Sequence, residues 1–261
     1  MIPQNFIEKW RPHAEWQTQD MVEQDLIISR ALVCLYNNPS IKEKLVFRGG
    51  TALHKIFIKP AARYSEDIDF VQLHPEPIGP LINAIRDCLK PWLGDPKRKI
   101  TQRSAKLLYP YTATSSYSSK LKIEINTTEH FQVLPLRYEP LTIDSEWFKG
   151  STTLVTYELE ELIATKLRAL YQRRKGRDLF DIWHIFNYHL LDAKHVIEIF
   201  KKYCDKEGTP ISQESFEKNL NQKRLHKDFQ VDINPLLSPH THWNFDEAFD
   251  FVVTHLISNI T

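Results

Sequence analysis

Two aspartates stand one residue apart in the segment EDIDFVQ (66–72), and the residues alternating with them are Ile68 and Phe70. A period of two predicts a β-strand with Asp67 and Asp69 on one face and both apolar side chains on the other. The apolar face requires a core behind it. The acidic face holds two neighbouring anions, which share a proton, bind a cation or lie open to water. Oxygen-only ligands suit Mg²⁺, which takes one or two carboxylates and completes its shell with substrate phosphates and water. Taken alone, a D-x-D pair is more often a strand face with two solvated acids.

Three neighbouring features shift that balance. In LVFRGGTALHKIF (45–57), Leu45-Val46-Phe47 reads as a short strand, Gly49-Gly50 as a turn and Thr51 as the cap of a short helix. Glycines let backbone approach a phosphate, and a helix start offers it free N–H groups. KLKIEIN (120–126) alternates as a second strand, whose acid, Glu124, could pair with the first strand and complete a cluster of three carboxylates. Arg63 and Ser65 immediately precede the acid pair, as phosphate contacts or as ordinary loop polarity. A Gly-rich turn, a D-x-D strand and a later strand acid are the parts of two-metal nucleotidyl transfer.

The rest of the chain sets the frame. It has 261 residues, 42% of them apolar and 26% charged, which is globular composition and excludes a disordered or collagen-like chain. Lys and Arg total 34 against 33 Asp and Glu, so a uniformly basic nucleic-acid coat is excluded while local basic patches are not. Three scattered cysteines argue against a disulfide framework and fit a reducing cytoplasm. The opening MIPQNFIEKWRPHAEW has no apolar core, so no secretory signal is expected. No stretch approaches the roughly 18 apolar residues of a membrane span. PLINAIRDCLKPWL reads as a helix stopped near Pro91, and residues 98–137 read as mainly β. From about Tyr157 the pattern becomes helical, through ELEELIATKLRALYQRR, RDLFDIWHIFNYHL, KHVIEIFKKYC and NFDEAFDFVVTHLI, the last with Asn244 as its cap. The predicted layout is an α/β part over residues 1–150 and a helical part over 151–261.

Within the first of those helices, Leu159, Leu162, Ile163, Leu167 and Leu170 form one stripe, and Lys166 falls inside it. A lysine there is costly unless it meets an anion, as a ligand contact or as a structural ion pair, or snorkels out at the end of the stripe. Asp178 lies on the apolar side of the next helix, as a first-turn acid, a partner for Lys166 or Arg173, or a holder of a substrate group. Two basic runs, Lys97-Arg98-Lys99 with Arg103 and Lys106, and Lys166 to Arg177 including Arg173-Arg174-Lys175, offer contacts to an RNA backbone. His240-x-His242 lacks further ligands at a spacing suited to a metal.

FRGGTALHK, RYSEDIDF, KIEI and ELIATKLRAL…RRKGRDLFDIW occur here in an order and combination that resembles the AbiEii/AbiGii family of nucleotidyltransferase-like toxins, within the polymerase-β-type nucleotidyltransferase superfamily. The four blocks span about Leu45 to Trp183; the tail after about His189 matches none of them. The resemblance implies an α+β fold: a polymerase-β-type core with a mixed sheet flanked by helices, then a helical C-terminal domain. It implies Mg²⁺, a nucleoside triphosphate, a toxin role in bacterial toxin–antitoxin or phage-defence systems, and a winged-helix antitoxin encoded alongside. Some relatives transfer nucleotides to the acceptor end of tRNA, and others are linked mainly to GTP binding. By motif, Gly49, Gly50 and Thr51 cradle phosphates, Ser65 is the serine beside the acids, and Asp67 and Asp69 bind metal. Glu124 is the third acid, Lys166 contacts the triphosphate, and Asp178 is the acid of the last block. The spacing from Gly-Gly to D-x-D is longer than in the minimal superfamily pattern. Three readings follow: transfer of a nucleotide to an RNA 3′ end, transfer to a protein or small-molecule hydroxyl, and a non-catalytic GTP-binding regulator.

Overall fold

The computed structural model describes residues 2–260. The chain divides into two compact units, Met1–Tyr157 and Glu158–Thr261. The expected division at Gly150 falls inside a strand, Lys149–Thr156, that completes the sheet of the first unit.

The first unit is built on a seven-stranded mixed sheet. Its strands are β1 (Leu45–Arg48), β2 (Asp67–Gln72), β3 (Lys97–Ile100), β4 (Ser104–Thr112), β5 (Ser118–Asn126), β6 (Arg137–Asp144) and β7 (Lys149–Thr156). Their order is β3-β4-β5-β2-β1-β7-β6. β2 runs antiparallel to β1 and parallel to β5, and so lies inside the sheet. Ile68 and Phe70 of β2 and Ile123 and Ile125 of β5 are buried together with Phe47 and Leu107. That continuous apolar face fixes the strand register, because a slip by one residue would put Asp67 and Asp69 into the core.

The helix Gln19–Tyr36 belongs to this unit, and Thr18 caps it by accepting from the Met21 amide. The helix Ile78–Leu93 continues past Pro91 rather than stopping there. Pro91 stands in the last turn, where its ring forfeits a single intrahelical bond, and the chain leaves the helix at Gly94, φ +75°. Leu45–Arg48 is a strand as expected, but Gly49–Ala52 forms one helical turn that contains Thr51 rather than being capped by it.

The second unit is helical, with helices Leu159–Gln172, Gly176–Tyr188, Ala193–Lys206, Gln213–Arg224, Lys227–Val231 and Phe245–His255. The predicted stripe Leu159, Leu162, Ile163, Leu167 and Leu170 is buried, and its helix packs against the helices that carry the buried Leu179, Phe200 and Phe216. Asn244 caps the last helix, accepting from the Asp246 and Glu247 amides. No helix among the described residues is long and apolar enough to cross a membrane.

Candidate active site

The parallel pairing of β2 with β5 sets Asp67 opposite Lys122 and Asp69 opposite Glu124. Paired residues project to the same side, so these four side chains share the polar face that Ile68, Phe70, Ile123 and Ile125 leave free. Antiparallel neighbours extend the row: Arg48 of β1 opposes Asp69, and Lys106 of β4 opposes Glu124. Across the sheet the sequence of charges is therefore Arg48, Asp69, Glu124, Lys106. Asp67 and Lys122 form the next row.

Lys122 Nζ lies 2.6 Å from Asp67 Oδ2 and 3.5 Å from Glu124 Oε2. Lys106 Nζ lies 2.9 Å from Glu124 Oε1. Burial pushes the Glu124 carboxyl up, but Lys106 and Lys122 outweigh it and hold the group below the usual glutamate range. Burial likewise opposes the charge on Lys122, and Asp67, Asp69 and Glu124 together hold its ammonium above the ordinary lysine value. Arg48 is fixed from the other side: its guanidinium meets Glu129 at 2.7 Å, and Asn126 Nδ2 donates to the same carboxylate at 3.1 Å. Among the described residues no group of three or more His, Cys, Asp or Glu side chains is placed to hold a metal ion together.

The double glycine packs directly behind this row. Gly49 has φ +82°, and a Cβ there would stand 2.4 Å from Asp69 Oδ2. A Cβ on Gly50 would stand 2.4 Å from an Arg63 guanidinium nitrogen and 3.0 Å from Ser65 Oγ. The space each glycine leaves is thus taken by Asp69, Arg63 and Ser65 of this chain. Arg63 is only 2% exposed and donates to the Tyr64 carbonyl at 2.9 Å. Thr51 Oγ1 bonds Ser65 Oγ at 2.9 Å and donates to the Asp67 carbonyl, which ties the turn to the start of β2. Gly49, Gly50, Thr51, Arg63, Ser65, Asp67, Asp69 and Glu124 are thereby assembled in one unit. Gly49→Ala meets two penalties, the left-handed φ and the displaced Asp69 carboxylate. It lowers stability by about 1–2 kcal/mol from the backbone alone, measured as a shift in urea midpoint.

Lys166 and Asp178 lie in the second unit, in a cluster of their own. Lys166 Nζ is 3.0 Å from Asp178 Oδ1 and 2.8 Å from Asp181 Oδ2. Arg173 grips Asp178 with two bonds, Nε to Oδ2 at 2.7 Å and a terminal nitrogen to Oδ1 at 2.8 Å. Burial pushes the Asp178 carboxyl up; Lys166 and Arg173 outweigh it and hold the group low. Asp178 and Asp181 are fully buried, so each acid has exchanged water for a cation. Of the basic residues from 166 to 177, Lys166 and Arg168 turn inward, while Arg174 and Lys175 are exposed. Arg168 pairs with Glu207 at 3.1 Å and lies over the Tyr203 ring.

His184, in the same unit, stacks on Phe180, and its Nδ1 is buried with no hydrogen-bond partner. Burial depresses its pKa to about 4. The unfolded chain takes up this proton near pH 6.5 and the folded one does not, so stability falls as pH drops from 6.5 toward 4. The expected loss between pH 7 and pH 5 is about 1–2 kcal/mol after allowance for solvent screening. His184→Phe should flatten that part of the stability–pH curve measured by urea unfolding.

Lys122, Arg48 and Glu129 are the residues of the charged rows and their support that the sequence did not single out. Lys122 has a local signal, the same period of two that exposes Glu124. Its partner Asp67 lies 55 positions away (122 − 67), and only the pairing of β2 with β5 joins them.

The family described as nucleotidyl transferase AbiEii toxin, type IV TA system, matches residues 30–251. The chain belongs to the AbiEii nucleotidyltransferase toxin family. It is accordingly a nucleotidyltransferase, of a family that acts as the toxin of type IV toxin–antitoxin systems. Its fold is similar to that of MenT4, a nucleotidyltransferase toxin from Mycobacterium tuberculosis, with a TM-score of 0.67 at 16% identity over 100% of this chain and 91% of that one. It is also similar to a protein of H. pylori assigned as a nucleotidyltransferase, with a TM-score of 0.57 at 17% identity over 93% of this chain and 95% of that one. No curated protein matches the chain. The expected α+β architecture, a mixed sheet with flanking helices followed by a helical part, is the one observed.

Proposed function

We propose that this AbiEii-family enzyme transfers a nucleoside monophosphate from a nucleoside triphosphate to the 3′-terminal hydroxyl of an RNA, with tRNA as the acceptor and Mg²⁺ as the cofactor. The observation that carries the reading is the alignment of Asp67 and Asp69 on one polar sheet face, with the Gly49-Gly50 turn packed against Asp69.

The donor set fits a hard cation. Asp67 and Asp69 offer only carboxylate oxygens, and two such groups are what Mg²⁺ takes when phosphates and water supply the rest. When bound, Mg²⁺ supplies charge stabilisation to the phosphates and activation of an attacking hydroxyl. Asp67 and Asp69 would hold that charge on the polar face of β2. Arg48, fixed by Glu129, adds a guanidinium beside Asp69, suited to phosphate oxygens. Lys122 and Lys106 keep Glu124 ionised, so it contributes negative charge to the row. The acceptor hydroxyl gives up its proton to solvent as its oxygen bonds to the α-phosphorus, the bond from that phosphorus to the bridging oxygen breaks, and pyrophosphate leaves with the electron pair.

An RNA acceptor is supported by exposed basic residues. Lys97, Arg98 and Lys99 form β3, an edge strand of the sheet whose residues are all exposed, and Arg173, Arg174 and Lys175 are exposed in the second unit. Such groups bind phosphate backbones by releasing counterions, so RNA affinity should fall steeply with salt. The type IV family assignment implies an antitoxin partner, and a winged-helix protein encoded in the neighbouring reading frame fits that role. The direct test incubates the protein with each labelled nucleoside triphosphate and total tRNA, with Asp67→Ala as control. Label in tRNA that depends on Asp67 supports the reading. No incorporation, or equal incorporation by the variant, counts against it.

A further inference from the structure

The acidic face of β2 already carries a cation of the protein's own. Lys122 is in contact with Asp67 and within reach of Glu124, at 2.6 Å and 3.5 Å. Both distances follow from the strand register, because Lys122 opposes Asp67 and Glu124 lies two residues along the same strand on the same face. One ammonium therefore stands between two carboxylates. Glu124 has a second lysine as well, Lys106 at 2.9 Å. A divalent cation on the Asp67 carboxylate would repel an ammonium held at hydrogen-bond distance from it. Glu124 is the nearest alternative anion along the strand.

We propose that Lys122 is an exchangeable counter-ion of the D-x-D pair, which neutralises Asp67 when no divalent cation is bound and passes to Glu124 when one is. On this assignment the protein's metal ligands are Asp67 and Asp69. Glu124, the expected third ligand, instead takes up the displaced lysine, and Lys106 holds Glu124 in position for it. The inference rests on the nucleotidyl-transfer reading for the presence of a metal, and it explains why the third acid of the row faces two lysines. The rival arrangement is a fixed Lys122–Asp67 pair, with Glu124 completing a set of three metal ligands.

Mn²⁺ binding to the nucleotide-free protein separates the two, read from the electron paramagnetic resonance signal of the unbound ion. Lys122→Met removes the competitor and should tighten Mn²⁺ binding about tenfold. Lys122→Gln, which keeps a polar group on the sheet face, should shift it the same way. Lys106→Met removes an equal charge one strand further from Asp67 and should change affinity by less than about threefold. Adding Glu124→Gln to Lys122→Met should leave affinity within about threefold of the single variant, because no ligand is lost. The counter-ion assignment is overturned if neither Lys122 variant binds Mn²⁺ more tightly than the wild type, or if Lys106→Met tightens binding as much. It is also overturned if Glu124→Gln abolishes binding in the Lys122→Met background. Failure of the wild type and both Lys122 variants to bind Mn²⁺ is a different result: it removes the metal-dependent reading itself, and the counter-ion with it.

Discussion

Asp69→Asn lowers the rate of nucleotidyl transfer by about a thousandfold, which corresponds to about 4 kcal/mol of lost transition-state stabilisation. The substitution is nearly isosteric, so the side chain still fits against Gly49, whose missing Cβ leaves room for the Asp69 carboxylate. What changes is charge. With Asp69 neutral, Arg48 and Lys106 outnumber the one remaining acid in their row, and the face turns from a cation site toward an anion site. Binding of the triphosphate alone should therefore survive while turnover collapses. The measurement is the single-turnover rate of label transfer beside a thermal unfolding curve. A rate within about tenfold of the wild type, with the fold intact, would remove Asp69 from the ligand set.

Asp178→Ala acts by another route and nearly as strongly. It strips the shared acid from Lys166 and Arg173 and leaves Lys166 with Asp181 alone. Removing one member of a buried ion pair costs about 3–5 kcal/mol where the abandoned charge has neither partner nor water; here Lys166 keeps Asp181 and Arg173 is half exposed, so the expected cost is about 2–3 kcal/mol. Against a typical total of about 5–15 kcal/mol, that is a substantial fraction of the stability. Urea unfolding followed by tryptophan fluorescence, to which Trp183 and Trp243 of this unit contribute, measures it. A midpoint shift worth less than about 1 kcal/mol would mean that the cluster contributes little to folding. Loss of transfer activity in an alanine variant of Lys166 or Asp178 thus needs a folding control before it says anything about chemistry. Asp178→Asn, which keeps the shape and part of the hydrogen bonding, is the better variant for that purpose.

The two predictions mark where local pattern is informative and where it stops. Asp67 and Asp69 could be placed on one face from the alternation of residues 66–72 alone, since the strand period leaves no other arrangement once Ile68 and Phe70 are buried. Lys166 stood out as a charge inside an apolar helical stripe, where it either meets an anion or snorkels to water. Its anions, Asp178 and Asp181, are close in sequence and share a helix one turn apart, so the pairing was within reach of helical spacing.

The surroundings of the acid pair were not available in that way. Thr51 bonds Ser65 rather than capping a helix, and Gly49 leaves room for Asp69, because β1 and β2 lie side by side. Pro91 sits inside a helix because it falls in the final turn, a difference of a few residues that propensity does not resolve.

By itself the sequence determined the strand at residues 67–72, the helices with a clear apolar stripe, the acidic face of β2, the charged helix stripe and, through its motif blocks, the family. Each of these is carried by residues within a few turns or one strand of each other, where covalent geometry fixes direction. It did not mark the strands over 137–156 or the helices Gln213–Arg224 and Lys227–Val231. Only the tertiary structure decided that β5 runs parallel beside β2, with Lys122 set against Asp67 and Glu124 held by two lysines. Strand order and register depend on how whole apolar faces are buried together, and that is a property of the assembled sheet rather than of any segment in it.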